Sequence, residues 1–154
     1  MDKELIKPFL QYTISMFKEM YNFTPIYSKA HKVTDLSTHK WDISGVVGIL
    51  GNYEGIFAIR LKRSLAFKLL NQANLISENP DEIIQMISGM ISEFANIVCG
   101  NALNKIDPNN GKITVPLTIQ GTNHTISWPL KGPVIAIPFT TPYGDFEIQL
   151  NFSS

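Results

Sequence analysis

The sequence predicts an α+β fold, a mostly antiparallel sheet with long helices packed on it. Two long segments, residues 2–22 and 80–105, repeat apolar residues every three or four positions, as amphipathic helices do. Several short segments rich in β-branched residues are separated by turns with glycine or asparagine, which is typical of strands joined by hairpins. The last of them, residues 146–152, alternates apolar and polar residues like a half-buried antiparallel strand.

The first helix is predicted over residues 2–22. Pro8 is awkward there unless the helix starts late or bends, because proline lacks the N–H that an inner helical turn requires. Pro25 prevents the helix from continuing. The next residues, 26–40, are polar and mixed, and we expect a loop with one short strand near residues 31–33.

A hairpin and a short helix come next. Residues 41–50 and 55–61 are predicted strands, and Gly51 and Asn52 between them tolerate the positive φ of a tight turn. Ser64 is the predicted N-cap of the short helix, because a serine hydroxyl can accept a hydrogen bond from an unpaired amide of the first turn.

The central helix is predicted to begin at Pro80 and to end before Pro108. Asp81 and Glu82 suit its first turn, where free amides favour negative charge. One face of this helix is apolar and comprises Ile84, Ile87, Ile91, Phe94, Val98 and Ala102. The remaining predicted strands are residues 113–115, 117–119, 133–139 and 146–152, with Tyr143, Gly144 and Asp145 as the turn into the last one.

Size and charge suit one soluble domain over residues 1–154. Lysine plus arginine and aspartate plus glutamate number 13 each, so no net field favours nucleic acid or an anionic membrane. We find no segment that resembles a membrane span, and the acidic residues and Pro8 interrupt any signal peptide. The single cysteine excludes an intramolecular disulfide. Together these features predict a cytoplasmic protein.

The polar face of the central helix carries the candidate site. Gly89, Glu93, Asn96 and Gly100 fall within roughly 60° of one another at about 100° of rotation per residue. Each glycine inside a helix costs about 1 kcal/mol relative to alanine, but it lets another surface approach the backbone closely. We interpret this face as a docking ridge that presents one carboxylate and one carboxamide.

A plainer interpretation of these residues is a solvated helix face with incidental glycines. The spacing alone is a weak signal, because a second Glu-x-x-Asn occurs at Glu19 and Asn22, where the asparagine suits the end of the first helix.

Other catalytic chemistry has little support in the sequence. There is no P-loop, no nucleophile elbow and no dinucleotide fingerprint. Cys99 lies in an apolar helical context and is predicted to be a small core residue, and Trp41 and Trp128 are predicted core or interface aromatics. The histidines lack metal-ligand spacing and are predicted surface or turn residues: His31, His39 and His124.

Residues Ser92 to Leu103 resemble the signature helix of the CheC/CheX/FliY phosphatases of bacterial chemotaxis, whose pattern is Glu-x-x-Asn followed by a small residue. The turn from Gly51 to Gly55, with the strand and short helix after it, is also similar, as is the chain length. The family often has Asp or Ser where this chain has Gly89, so no family role is carried to that position. The family's later proline corresponds to Pro116.

The resemblance implies a CheC-like or CheX-like fold and a phosphatase that hydrolyses the aspartyl phosphate of a CheY-like response regulator. Asn96 would position the attacking water, and Glu93 would pair with the active-site lysine of the regulator. The chain itself would bind no cofactor and no metal, since the regulator supplies Mg²⁺. The resemblance also implies a homodimer joined through the β-sheet.

Two other functions stay open. One is a docking module that binds a receiver domain without hydrolysis, as a scaffold or by sequestration, and the presence of Asn96 favours the enzyme over it. The other is a structural dimer without a phosphorylated partner, which leaves the two glycines on the exposed face without a purpose. The sequence identifies neither the regulator nor the signalling pathway.

Overall fold

The computed structural model describes residues 3–34, 40–75, 77–122, 124–128 and 130–153. Its helices are α1 (Lys3–Tyr21), α2 (Arg63–Gln72) and α3 (Pro80–Ile106). Its strands are β1 (Ile26–Tyr27), β2 (His31–Lys32), β3 (Ile43–Leu50), β4 (Gly55–Leu61), β5 (Lys112–Ile113), β6 (Leu117–Gln120), β7 (Val134–Thr141) and β8 (Gly144–Phe152). The predicted α+β class is therefore confirmed.

All strand pairs of the sheet are antiparallel. The order is β1-β7-β8-β4-β3-β5, with β2 also on β7 and β6 also on β3. The long central strands come from two hairpins, β3–β4 and β7–β8, which meet where β4 pairs with β8. The short strands β1 and β2 cover one edge of this sheet, and β5 and β6 cover the other.

The hydrophobic core lies between the sheet and the helices. Alternate residues of each central strand face the helices, as Phe57, Ile59 and Leu61 do on β4. The ring of Phe17 on α1 lies 5.3 Å from Phe94 on α3 and 4.7 Å from Phe146 on β8, as measured between ring centroids. This aromatic cluster joins both long helices to the sheet.

The predicted first helix is present as Lys3–Tyr21 with Pro8 inside it, so it does not start late. Two other local predictions were wrong. Ser64 does not cap α2: the N-cap is Lys62, and the Arg63 amide donates to Oδ2 of Asp42 at 3.0 Å. Ile84 is 45% exposed, because the buried face of α3 begins at Ile87.

The expectation that no segment resembles a membrane span also needs correction. By length and composition α3 is apolar enough to cross a membrane. Core helices of soluble proteins share these properties, and here Ile87, Ile91, Phe94 and Val98 are fully buried within the core.

Candidate functional site on helix α3

Helix α3 is held firmly at both ends. At its start, Oδ1 of Asn79 accepts a hydrogen bond from the Asp81 amide at 3.0 Å, and Pro80 occupies the first turn. At its end, the Asp107 amide donates to the carbonyl of Leu103 at 2.8 Å. Capped ends let this long helix act as a rigid support for side chains along its middle.

The packing of α3 fixes which side chains point outward. A Cβ built on Gly45 of β3 would lie 2.7 Å from Cγ2 of Ile91 and 3.1 Å from its carbonyl oxygen, so only glycine allows α3 to approach the sheet this closely. Phe94 and Ala95 are fully buried. Their neighbours Glu93 and Asn96 are therefore turned towards solvent, and both are exposed.

Glu93 and Asn96 are free to meet a partner. Neither side chain forms a hydrogen bond or an ion pair with any residue that the model describes. Glu93 is also the only charged residue of α3 between Glu82 and Lys105. An incoming cation would thus meet one carboxylate with no competing charge beside it on the helix.

Gly89 and Gly100 are not required by the packing of this chain. A Cβ on Gly89 would meet nothing within 4 Å, and a Cβ on Gly100 would meet only Cδ1 of Ile113, at an ordinary 3.8 Å. Neither has a positive φ. The fold of this chain alone therefore gives no reason for two residues of low helix propensity on this face. A docking ridge would give one.

Strand β6 anchors the flank of α3, a contact that the sequence did not predict. The hydroxyl of Thr118 lies 2.8 Å from that of Ser92 and donates to the Ser88 carbonyl at 3.1 Å. Nε2 of Gln120 donates to the Ile84 carbonyl and to Oγ of Ser88, both at 2.8 Å. The alternation of apolar and polar residues along β6 places Thr118 and Gln120 on one face of the strand, but it does not specify which element that face contacts.

The Gly51–Asn52 turn has a second function beyond closing the β3–β4 hairpin. The amide of Asn52 donates to Oδ2 of Asp107 at 2.8 Å, and its Nδ2 donates to Oδ1 at 2.9 Å. Gly51 has a φ of +124°, and a Cβ there would lie 2.6 Å from Oδ2 of Asp107. The turn thus fastens the C-terminal end of α3.

A shallow groove of about 220 Å³ borders the ridge beyond Gly100. It is lined by the C-terminal part of α3, including Asn101 and Asn104, and by Gly111 and Ile113 from the region of β5. The ridge and the groove together form a continuous surface along α3.

Other reactive groups lie away from this surface. Burial raises the pKa of Cys99 to about 12, so its thiol is a core group and the prediction for it is confirmed. In the part of the chain that the model describes, no group of three or more His, Cys, Asp or Glu residues could hold a metal ion.

The histidines differ from the prediction in one case. His31 is an exposed residue of β2, and His39 lies outside the described residues. His124, however, is partly buried: its Nδ1 lies 2.8 Å from the Gly121 carbonyl and its Nε2 lies 2.7 Å from Oγ of Ser44. It is therefore a partly buried loop residue that belongs to a hydrogen-bonded cluster.

Similar proteins are found among known families and solved structures. The family model for the chemotaxis phosphatase CheX matches residues 43–140, which include all of α3. A CheC-like superfamily protein from Shewanella sp. PV-4 is 27% identical over 100% of both chains, with a TM-score of 0.84. CheX from Desulfovibrio desulfuricans is 28% identical over 97% of this chain and 99% of that chain, with a TM-score of 0.84.

A third solved structure, the complex of CheX with CheY, BeF3 and Mg from Borrelia burgdorferi, contains a chain of the same fold. It is 23% identical over 97% of this chain and 98% of that chain, with a TM-score of 0.81. Among curated proteins no significant match is found.

Proposed function

The chain belongs to the CheX family of chemotaxis phosphatases, and we propose that it accelerates hydrolysis of the aspartyl phosphate of a CheY-like response regulator. The observation that carries the proposal is the exposed Glu93–Asn96 pair on a rigid helix, between two glycines that no internal contact requires. The solved complex of CheX with CheY supports a partner of this class.

Asn96 is the proposed catalytic residue. Its carboxamide can accept one hydrogen bond from a water molecule and donate another, so it can orient that water without carrying charge. The water oxygen forms the new bond to phosphorus as the bond from phosphorus to the aspartate oxygen breaks. The products are a free aspartate carboxylate and inorganic phosphate.

This reaction requires little from the phosphatase beyond positioning of the attacking water. A carboxylate is a good leaving group because its pKa is near 4, so no general acid is needed. The Mg²⁺ and the acidic pocket belong to the regulator in this proposal. Holding a water in line with the phosphorus then supplies the missing component, as the glutamine of small GTPases does.

Glu93 is the proposed anchor. Its carboxylate would pair with the active-site lysine of the regulator and draw that lysine from the phosphate. Because Asn96 has a short side chain, the backbone of α3 must come close to the regulator, and the bare backbone at Gly89 and Gly100 leaves room on both sides.

We also propose a homodimer joined through the edge of the sheet that β5 and β6 form. Three apolar side chains are exposed there: Leu50 by 50%, Val115 by 88% and Leu117 by 62%. An edge strand also has backbone groups that can pair with another strand. A second copy of this chain would satisfy both features at once.

The direct test is phosphate release from a phosphorylated, Mg²⁺-loaded CheY-like receiver, with the wild-type chain and with Asn96→Ala. We expect the wild type to accelerate release and N96A to lose the acceleration while it still binds the receiver. Asn71→Ala is the matched control, because Asn71 is an exposed asparagine on α2. Binding of the phosphorylated receiver without acceleration by the wild type would instead support the docking module.

A further inference from the structure

A polar cavity of about 240 Å³ lies on the opposite side of the sheet from α3. Side chains alternate along a strand, so Arg60, between the core residues Ile59 and Leu61, faces away from the helices. Gln149 on β8 does the same, and both line the cavity with Trp41 and Trp128. Neither the ridge nor the groove of α3 contributes to this site.

Arg60 is a buried cation without a carboxylate partner among the described residues. It is only 6% exposed. Its Nε donates to Oγ of Ser44 at 2.9 Å and its Nη2 donates to the His124 carbonyl at 3.0 Å, and both acceptors are neutral. These two bonds fix the plane of the guanidinium but do not neutralise its charge.

The carboxylate that acts on Arg60 is also bonded to another side chain. Glu147 lies across from Arg60 in the strand register, but its Oε2 accepts from Nε2 of Gln149 at 2.6 Å, and no ion pair joins it to Arg60. Burial lowers the pKa of Arg60, and the charge of Glu147 opposes that change only in part. A buried unpaired charge is costly, so the cavity is set up for an anion.

Two further features point to an external ligand. Oε1 of Gln149 is buried and has no hydrogen-bond donor among the residues that the model describes, so the polar lining is incomplete. The cavity rim also carries Lys32 and Lys40, whose Nζ lies 4.8 Å from the ring centroid of Trp41. Three cationic side chains and two aromatic rings line this small space, together with the single carboxylate of Glu147.

We propose that this cavity binds a small molecule bearing a carboxylate or a phosphate, with its anionic group on Arg60 and its remaining part against Trp41 and Trp128. The two ligand classes share this chemistry, since a guanidinium fork pairs with either oxyanion. The volume admits a metabolite-sized molecule.

Intrinsic fluorescence tests the proposal on the full chain, because its two tryptophans both line the cavity. We expect a saturable change on titration with inorganic phosphate, with acetate or with citrate, and the stronger of these identifies the class. Arg60→Gln should weaken binding at least about tenfold, as expected when a charge-assisted contact is lost. Circular dichroism checks that each variant is folded.

Lys40→Gln is the second variant, because Lys40 is exposed and its loss should weaken binding several-fold without harm to the fold. Lys112→Gln, an exposed lysine on β5, is the matched control and should bind like the wild type. No saturable change with any of the three anions would overturn the proposal.

Discussion

At the scale of single residues, Glu93 is expected to contribute to affinity and Asn96 to the rate. Glu93→Ala should weaken binding of the phosphorylated receiver about 10- to 100-fold, which is the range for loss of a charge-assisted hydrogen bond. Binding is measured by titration calorimetry, with Glu82→Ala at the start of α3 as the control. An unchanged affinity for E93A would contradict the anchoring role.

The proposed contact between Glu93 and the lysine of the receiver should also depend on salt, because it joins two exposed charges. Glu93→Gln keeps the shape of the side chain and removes its charge. We therefore expect its affinity to respond less to ionic strength than that of the wild type. Equal salt dependence of the two proteins would show that the Glu93 charge is not used in docking.

Cys99 gives a prediction for alkaline pH. Burial raises its pKa from 9.0 to about 12 in the folded chain. Below pH 9 the thiol is protonated in both states, whereas between pH 9 and 12 only the unfolded chain ionises. The free energy of unfolding should therefore fall as pH rises through this range, by up to about 1.4 kcal/mol per pH unit for this one group.

Denaturant titrations at several pH values measure this slope. Tyr21, whose pKa burial raises from 10.0 to about 12, adds to the slope in the same direction. Cys99→Ala removes the cysteine part, so the slope for this variant should be shallower than that of the wild type. Equal slopes would mean that the folded chain does not suppress ionisation of the thiol.

At the scale of elements, α3 should show a conflict between stability and function. A Cβ on Gly89 has open space around it, so Gly89→Ala should stabilise the fold by about 1 kcal/mol. A large side chain should instead obstruct docking, and Gly100→Leu is expected to weaken receiver binding and thereby lower activity. Thermal melts and binding titrations measure the two effects.

The opposite pattern would argue against the docking ridge. If G100L bound the receiver and accelerated phosphate release like the wild type, the glycines would be incidental. Asn71→Leu, at an exposed position on α2 away from this surface, shows how much of any loss comes from a bulky side chain as such.

The sequence predicted α3 and the exposure of Glu93 and Asn96 well because both depend on local signals. Helical periodicity separates the buried Phe94 from the exposed Glu93 and Asn96, and Pro80 and Pro108 mark the ends of the helix. The anchoring by Thr118 and Gln120 depends on which strand passes beside the helix, and no local pattern specifies that.

The error at Ser64 has the same origin. Serine near a helix start is a reasonable N-cap, but Asp42, 21 residues earlier, supplies the acceptor for the Arg63 amide. The cavity around Arg60 was equally out of reach, because its lining comes from five separated stretches of the chain that meet only in the folded structure. Contacts between distant parts of the chain are what the sequence left undetermined.

At the scale of the whole molecule, the sheet edge formed by β5 and β6 should decide the oligomeric state. Leu117→Lys places a charge in the proposed dimer contact and should yield monomers, whereas the wild type is expected to dimerise. Sedimentation equilibrium over a range of concentrations measures this. Ile26→Lys is the control, because Ile26 is 71% exposed at the opposite edge of the sheet.

A wild type that stays monomeric at high micromolar concentration would contradict the dimer. If I26K gave monomers and L117K did not, the contact would lie at the edge that β1 and β2 cover.

The burial of Cys99 also makes it a natural probe of motion. It is the only cysteine and lies on α3 behind the docking ridge, so a thiol reagent can reach it only when the helix opens. When reclosing outpaces the chemical step, the labelling rate reports the free energy of that opening. A regulator bound along α3 should slow the labelling in proportion to its occupancy, which would give a measure of docking that needs neither phosphate nor catalysis.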